Sequence, residues 1–368
     1  MKYYIIAGEA SGDLHASNLM KALKKKDADA EFRFWGGDLM NNVGGDLVKH
    51  YRDLAFMGFL EVIVNLKTIL NNIKFCKKDL LNYKPDILIL VDYPGFNLRI
   101  AEFAHQNKIK VHYYISPQLW AWKENRIKNI KRDVDEMYVI LPFEKEFYEK
   151  KHSFNVHFVG HPLLDAIADR KQVDESTFRK EHDLTSRPII ALLPGSRKQE
   201  IKKMLSVMLK MVDKFKDYQF VIAGAPSQDY KFYEPFIKNN PVKFISNKTH
   251  DLLSVSFAAL VTSGTATLET ALFKVPEVVC YKGSTISYEI GKRLVNLKYI
   301  SLVNLILDKE VVTELIQHDF NEQMLEKELA KILTEKNRSQ LFIEYFDLEQ
   351  KLGGKGASEK TAELILKS

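Results

Sequence analysis

The sequence predicts an α/β fold of two Rossmann-like domains, each with a mostly parallel sheet, facing one another across a cleft. Three observations predict it. At 368 residues the chain is long for a single hydrophobic core. Short apolar runs of strand length alternate with segments of helical periodicity along nearly the whole sequence. The same strand–turn–helix opening also occurs twice, at Lys2–Ala7 before Gly8-Glu-Ala-Ser-Gly-Asp13 and at Ile189–Leu193 before Pro194-Gly-Ser-Arg197. Such openings are where α/β proteins place phosphate groups.

The first series begins with Lys2–Ala7 and a helical stretch from Gly12 to Lys26, with Leu14, Leu19, Met20 and Leu23 at helical spacing. Phe32–Trp35, ended by Gly36-Gly37, reads as the next strand, followed by Ile87–Val91, Val111–Ile115, Met137–Ile140 and Val156–Val159. Strands separated by helices imply parallel sheets covered on both faces. Asp165–Arg187 is polar and charged and holds the expected connection between halves. The second series runs through Ile189–Leu193, Phe220–Ala223, Val242–Ile245, Ala258–Val261, Val278–Tyr281 and Tyr299–Val303, with Met204–Phe215 the clearest helix. From Asn321 to Ser368 the chain reads as helical, broken at Gly353-Gly354. The expected division is a first domain at 1–164, a second at 165–345 and a helical segment at 346–368. Whether the last helices return to the first half stays open on sequence grounds.

Composition is that of an ordinary globular chain, 46% hydrophobic and 28% charged, without a low-complexity tract. A formal net charge of +6 is mostly what a solvated surface carries, and it permits an anionic partner, either membrane or nucleotide. Cys76 and Cys280 stand far apart and form no metal-spaced set, which points to a reducing compartment. The chain enters a strand at once, without the pattern of a secretory leader, and no apolar run approaches spanning length. The expectation is a cytoplasmic protein, soluble or peripheral. Leu54–Leu70 breaks the pattern: it is apolar on too many sides for a one-faced helix and is followed by Lys74, Lys77 and Lys78. It reads either as a helix packed against two neighbours or as a surface for lipid chains or an anionic bilayer, with lysines at the headgroups.

Neither turn matches the spacing of the dinucleotide fingerprint or of the P-loop. Gly8–Asp13 reads as a loop with Ser11 or Asp13 capping a helix, or as close backbone approach to a ligand with Glu9 and Ser11 as polar contacts. In Leu260–Thr270 a strand ends at Thr262, Ser263, Gly264 and Thr265 form a small-residue turn, and Ala266–Leu272 reads as helix. Its first N–H groups would face a diphosphate, and Glu269, one turn in, would accept both hydroxyls of a ribose. The plainer alternative is a capped helix with a solvent-facing Glu. Paired with Gly195, Ser196 and Arg197, this turn suggests two loops closing on one nucleotide diphosphate, with Arg197 supplying a fixed positive charge.

Asp92 follows the run Ile87–Val91 in Val-Asp-Tyr-Pro-Gly-Phe-Asn97, at the carboxyl end of a parallel strand, where ligands bind. It suits a base that takes a proton from an attacking hydroxyl, or merely a cap for the Pro94-Gly95 turn. Ser116-Pro-Gln-Leu-Trp-Ala-Trp122 places two tryptophans after another strand end, fit for core packing, for stacking on a sugar or for lining an acyl groove. His161 in Val159-Gly-His-Pro162 suits structure as well as ligand contact. No Asp-x-Asp pair or His/Cys cluster marks a metal, so none is expected, nor a cofactor. A leaving diphosphate would then be stabilised by helix amino ends and Arg197.

In order along the chain, Ala7-Gly-Glu-Ala-Ser-Gly-Asp13, Tyr114-Ile-Ser-Pro-Gln-Leu-Trp-Ala-Trp122, Leu141-Pro-Phe-Glu144, Phe158-Val-Gly-His-Pro-Leu163, Leu193-Pro-Gly-Ser-Arg197, Ser263-Gly-Thr-Ala-Thr-Leu-Glu269 and Ser301-Leu-Val-Asn304 resemble the motif series of the lipid-A-disaccharide synthases. Each is weak alone; in register over nearly the whole chain they are specific. The resemblance implies a GT-B-like glycosyltransferase that joins UDP-2,3-diacylglucosamine to 2,3-diacylglucosamine 1-phosphate through a β-1,6 bond and releases UDP. It implies Asp92 as the catalytic acid/base, Arg197, Glu269 and Asn304 as UDP-sugar contacts, and Glu9 and Ser11 as residues of the amino-terminal cleft. It implies a peripheral position at the inner face of the inner membrane. The sequence departs from the pattern at Gln118, Val303 and Lys309, where a small Ser, a Pro and an Arg are usual. These departures bear on the acyl groove and on the geometry near Asn304.

The sequence thus leads to an inverting glycosyltransferase whose second half binds the UDP of the donor and whose first half binds the lipid acceptor. The expected partners are the UDP-diacylglucosamine donor, the lipid monosaccharide acceptor and an anionic membrane surface, with a homo-oligomer left open and no nucleic acid. Two other readings stay open: a UDP-sugar 2-epimerase of similar architecture, and a non-catalytic basic nucleic-acid binder. The Trp-x-Trp loop and Leu54–Leu70 argue against the first, because a soluble sugar has no use for them. Two phosphate-type turns argue against the second.

Overall fold

The computed structural model describes residues 1–54, 66–283 and 298–368, and the chain divides into two units, Met1–Asp169 with Leu352–Ser368 and Arg170–Lys351. In the first unit the strands are β1 (Lys2–Ala7), β2 (Glu31–Gly36), β3 (Asp46–His50), β4 (Ile87–Val91), β5 (Lys110–Tyr114), β6 (Glu136–Val139) and β7 (His157–Phe158). They pair in parallel in the order β3-β2-β1-β4-β5-β6-β7. β4 reads Ile-Leu-Ile-Leu-Val, without alternation, because all five side chains are buried. β1 lies between β2 and β4, so strand order reverses there, and the crevice for a ligand opens beyond the carboxyl ends of β1 and β4. β3 is not among the strands expected from sequence. Asp-Leu-Val-Lys-His has no apolar run, and as an edge strand with partly exposed side chains it needs none.

The carboxyl-terminal helix Ala357–Lys367 belongs to this first unit and lies along the helix Ala10–Lys26, with Lys25 paired to Glu359 at 3.3 Å and Lys26 to Glu363 at 2.8 Å. Asp165 starts it: its carboxylate accepts the Gly356 and Ser358 amides at 2.6 and 2.8 Å, the work of a cap that Gly356 cannot do for itself. The Gly160 backbone (φ +93°) runs so close to the returning chain that a Cβ would stand 3.1 Å from the Leu352 carbonyl. The junctions therefore fall at Asp169/Arg170 and Lys351/Leu352, where the sequence suggested 164/165 and 345/346.

The second unit holds β8 (Ile189–Leu193), β9 (Gln219–Gly224), β10 (Val242–Ser246), β11 (Ala258–Thr262), β12 (Glu277–Tyr281) and β13 (Glu314–Ile316), parallel in the order β10-β9-β8-β11-β12-β13. Its switch point lies beyond β8 and β11. Tyr299–Val303, expected as a strand, is not one. Ser301 caps the helix Leu302–Leu307 by accepting the Asn304 amide at 3.3 Å, and Glu314–Ile316 is the edge strand instead. Leu302-Val-Asn-Leu-Ile-Leu307 fits helical and strand spacing alike, and the serine cap decides between them. Glu277, opening β12, is fully buried with no hydrogen-bond partner among the described residues on either carboxylate oxygen, and burial pushes its carboxyl well above the usual range.

Of the over-apolar segment Leu54–Leu70, residues 55–65 lie outside the described residues. The helix Leu66–Tyr83 that completes it buries Ile73, Cys76 and Leu80 in the core and exposes Lys67, Leu70, Lys74, Phe75, Lys78 and Leu81. Lys77 instead lies 4.9 Å from the centre of the Phe103 ring. Among the described residues no helix is long and apolar enough to cross a membrane.

Candidate active site

At the first switch point the chain leaves β4 through two consecutive left-handed residues, Asp92 (φ 44°) and Tyr93 (φ 48°). Each such residue costs roughly 1–3 kcal/mol, so the surrounding structure must hold them. It does so through the backbone. The Asp92 carbonyl accepts Tyr113 O–H at 2.6 Å and the Asn97 Nδ2 amide at 2.7 Å, and Asn97 also reaches the Ile6 carbonyl of β1 and the Val91 carbonyl that ends β4. Gly8, just after β1, makes room for the turn: a Cβ there would lie 2.3 Å from the Tyr93 ring. The Asp92 side chain, half-buried, is left for chemistry. Burial first, then the negative charge of Glu9, push its carboxyl up to about 6. Two carboxylates at one crevice, one with a raised pKa, can supply a base near neutrality.

Glu9 is the N-cap residue of the helix Ala10–Lys26, with Ser11 exposed in its first turn. Asp13 is buried and caps a different helix, Asp38–Val43, by accepting the amides of Gly37, Leu39 and Met40 at 2.8–3.1 Å. It is a structural bolt for β2, and not the cap of its own helix. His161 is likewise buried, accepting the Leu163 amide at 3.2 Å, with its imidazole pushed down to about 3 by desolvation.

The Trp-x-Trp loop follows β5. Trp120 is pinned: its indole N–H donates to Glu144 at 3.2 Å and its ring meets Phe143 edge-on at 4.8 Å. Glu144 is buried and also accepts from Ser116 Oγ and the Ile140 and Leu141 amides, so one carboxylate ties the loop to the end of β6. Burial lifts it to about 7. Trp122 and Gln118 remain exposed.

At the second switch point a cavity of about 310 Å³ is lined by Gly195, Ser196 and Glu200 from the first turn and by Thr262–Ala266 and Glu269 from the second, with Ala223–Ala225 and Thr249 at its side. Gly195 (φ +99°) adopts a conformation an L side chain resists, and a Cβ there would meet Glu200 at 2.5 Å. The Glu200 carboxylate lies against this turn and is lifted by burial, with the charge of Arg197 and the backbone of Arg197 and Ser196 opposing the lift. Ser227 and Gln228 hold the Ser196 carbonyl at 3.0 and 3.2 Å. The second turn is open. Among the described residues nothing lies within 4 Å of a would-be Cβ on Gly264 (φ +142°), and it precedes the helix Thr265–Leu272, whose first amides point out of the helix start. Ser263 Oγ is bound to the Ile300 carbonyl at 3.0 Å, and Glu269 carries His250 at 3.5 Å.

Gly195, Ser196, Ser263, Gly264, Thr265 and Glu269 thus meet at one cavity, while Glu9 and Asp92 meet at the other switch point. Arg197 is exposed beside the first turn and is not among the cavity's lining residues. Asn304 is not brought there either. It is fully buried, donating to the Val312 carbonyl and Glu314 and accepting the Val311 and Val312 amides at 2.8–3.0 Å, which spends its whole amide on one loop. Sequence reasoning passed over Asn97, Tyr113, Glu144 and Glu200. Asn97 and Glu144 stand inside motifs already singled out, and Glu200 lies three residues past Arg197. Tyr113 carries no local signal.

A family model described as lipid-A-disaccharide synthetase matches residues 3–366. The lipid-A-disaccharide synthase of Syntrophus aciditrophicus is 41% identical over 98% of this chain and 96% of its own, and that of Trichlorobacter lovleyi 37% identical over the same shares. Among solved structures, a UDP-GlcNAc 2-epimerase from Neisseria meningitidis bound to UDP-GlcNAc superposes with a TM-score of 0.71 at 15% identity, covering both chains in full. The glycotransferase of kitacinnamycin does so at 0.66 and 10% identity, covering 100% of this chain and 98% of that one. At such identities the likeness concerns the fold, which is that of GT-B proteins. Matched from end to end by the family model and by its curated relatives, the chain belongs to the lipid-A-disaccharide synthase family of glycosyltransferases.

Proposed function

We propose that the chain joins UDP-2,3-diacylglucosamine to 2,3-diacylglucosamine 1-phosphate with inversion, forming the β-1,6-linked disaccharide 1-phosphate and UDP. The observation that carries the reading is the Asp92 turn, a half-buried carboxylate lifted to about 6 at the carboxyl ends of β1 and β4. Asp92 takes the proton of the acceptor's 6-hydroxyl as that oxygen attacks the anomeric carbon from the face opposite UDP, and the bond to the diphosphate breaks. Orientation of the two sugars supplies much of the remaining acceleration. Glu9 and Ser11 contact the acceptor side.

On the donor side, the open amides at the start of the helix Thr265–Leu272, with Ser263, Gly264 and Thr265, receive the diphosphate, and Arg197 offsets its charge. Glu269 accepts the ribose hydroxyls. Gly195 and Ser196 shape the wall, and Asn304 acts at one remove by holding the loop through Val311–Glu314. The exposed lysines and apolar side chains of the helix Leu66–Tyr83 support docking on an anionic membrane, at the inner face of the inner membrane where the acceptor lipid lies.

The 2-epimerase reading has fold likeness behind it and nothing from the family. One assay separates the two. The protein is incubated with UDP-2,3-diacylglucosamine, with and without the lipid acceptor. Disaccharide plus UDP, formed only with acceptor, is expected; isomerised donor without acceptor would overturn the reading.

A further inference from the structure

Beside the donor cavity stands a side chain that the mechanism above does not use. His250, in the helix Thr249–Ser254, brings Nε2 to 3.5 Å from Oε2 of Glu269, and its neighbour Thr249 lines the cavity. The imidazole is supported from behind. It packs against the Phe273 ring at 5.2 Å between centroids, and the Arg170 guanidinium lies 5.0 Å from the centre of that ring. Arg170 also binds Asp251, the next residue of the His250 helix, at 2.9 Å. Phe273 in turn closes the helix that carries Glu269, donating its amide to the Glu269 carbonyl at 3.0 Å. The imidazole is therefore fixed by residues that never approach the cavity, and it is directed at a carboxylate that lines it.

We propose that His250 is a positioning residue for the nucleotide-sugar donor, holding the Glu269 carboxylate in the orientation that receives the ribose hydroxyls. The proposal rests on the assignment of Glu269 to the ribose. A glutamate side chain has three free torsions, and ordering it on binding costs affinity. Two hydroxyls of one ribose also demand a particular carboxylate plane. An imidazole standing 3.5 Å from one oxygen restricts that plane before the ligand arrives and leaves the second oxygen's lone pairs for the diol. It further offsets repulsion between the carboxylate and an incoming diphosphate. His250 touches neither reacting sugar.

Calorimetry with UDP and 2′-deoxy-UDP reads this directly, on the full chain and on His250→Ala, His250→Gln and Glu269→Gln. The unaltered protein should prefer UDP. His250→Ala should reduce that preference by about two- to fivefold, the scale of a partly exposed ion pair, with 2′-deoxy-UDP, which keeps one hydroxyl of the pair, weakened less than UDP. His250→Gln, which keeps a donor, should restore most of it. In turnover the loss should fall on the donor KM and not on kcat. Equal weakening of both nucleotides, or an unchanged preference in His250→Ala, would overturn the proposal. Glu269→Gln tells the two failures apart. If it abolishes the preference while His250→Ala does not, only the role of His250 falls; if it leaves the preference intact, the ribose assignment falls and this proposal with it.

Discussion

Asp92→Asn removes the proposed base without touching what holds its turn. The fixed points are backbone atoms, with Tyr113 and Asn97 both donating to the Asp92 carbonyl, and asparagine accepts a left-handed φ at least as readily as aspartate. The turn should therefore stay folded, and above pH 6 the variant should be the more stable chain, because it removes a carboxylate whose ionisation the fold resists. Turnover should fall by at least ~10²-fold, the lower scale of a general base, with UDP affinity unaltered. The pH profile carries a second, independent number. Burial and the charge of Glu9 raise the Asp92 carboxyl to about 6, and only its ionised form accepts a proton. The parent's kcat/KM should then fall about tenfold per pH unit below 6 and level off above it. Glu9→Gln removes the neighbouring charge and should move that limb to lower pH, while Asp92→Asn should abolish it. Steady-state assays with radiolabelled donor between pH 5 and 8 measure all three. Near-normal turnover in Asp92→Asn would remove the residue from the mechanism, and a limb that ignores Glu9→Gln would remove the carboxylate coupling.

Gly8→Ala places a Cβ 2.3 Å from the Tyr93 ring and should cost about 1–3 kcal/mol by overpacking. It should also displace Asp92, so activity should fall further than thermal stability; a cold, fully active variant would contradict the close approach. Glu277 keeps its proton in the fold, with a carboxyl raised above its unfolded value, so its contribution is full below the ordinary glutamate range and declines as pH rises. Glu277→Gln should accordingly be the more stable chain at pH 8, by about 1–3 kcal/mol, and the advantage should shrink toward pH 5. Parallel Tm curves for the two chains would show that the buried carboxyl is not linked to folding. Lys74→Gln with Lys78→Gln removes two exposed charges from the helix Leu66–Tyr83, each contributing about 1 kcal/mol at an anionic surface. The double variant should leave anionic vesicles at lower salt, and unchanged flotation would count against that face.

Much of the fold and half of the site were legible in the residues because they are local features. An apolar run such as Ile87–Val91 declares a strand buried on both faces, and Pro194-Gly195-Ser196 or Ser263-Gly264-Thr265 declares the turn after one. Once strands alternate with helices, parallel pairing follows, and candidate ligand-binding groups belong beyond carboxyl ends, which is where Asp92 and the turn Ser263–Thr265 lie. Reading failed where two local patterns fit equally, as at Tyr299–Val303, or where an edge strand such as Asp46–His50 needs no apolar pattern.

The amino-acid sequence by itself determined two α/β halves, the turns that open their ligand crevices and the residues that punctuate them. The tertiary structure alone decided partners distant in the chain. It assigned Asp13 to cap the Asp38 helix and Asp165 to start a helix nearly two hundred residues on. It turned Asn304 inward, set Glu200 against the turn at Gly195, and set His250 against Glu269. The physical reason is that a hydrogen bond or a charge is felt over a few ångströms in space, whereas sequence spacing reports only neighbours along one strand or one helical turn.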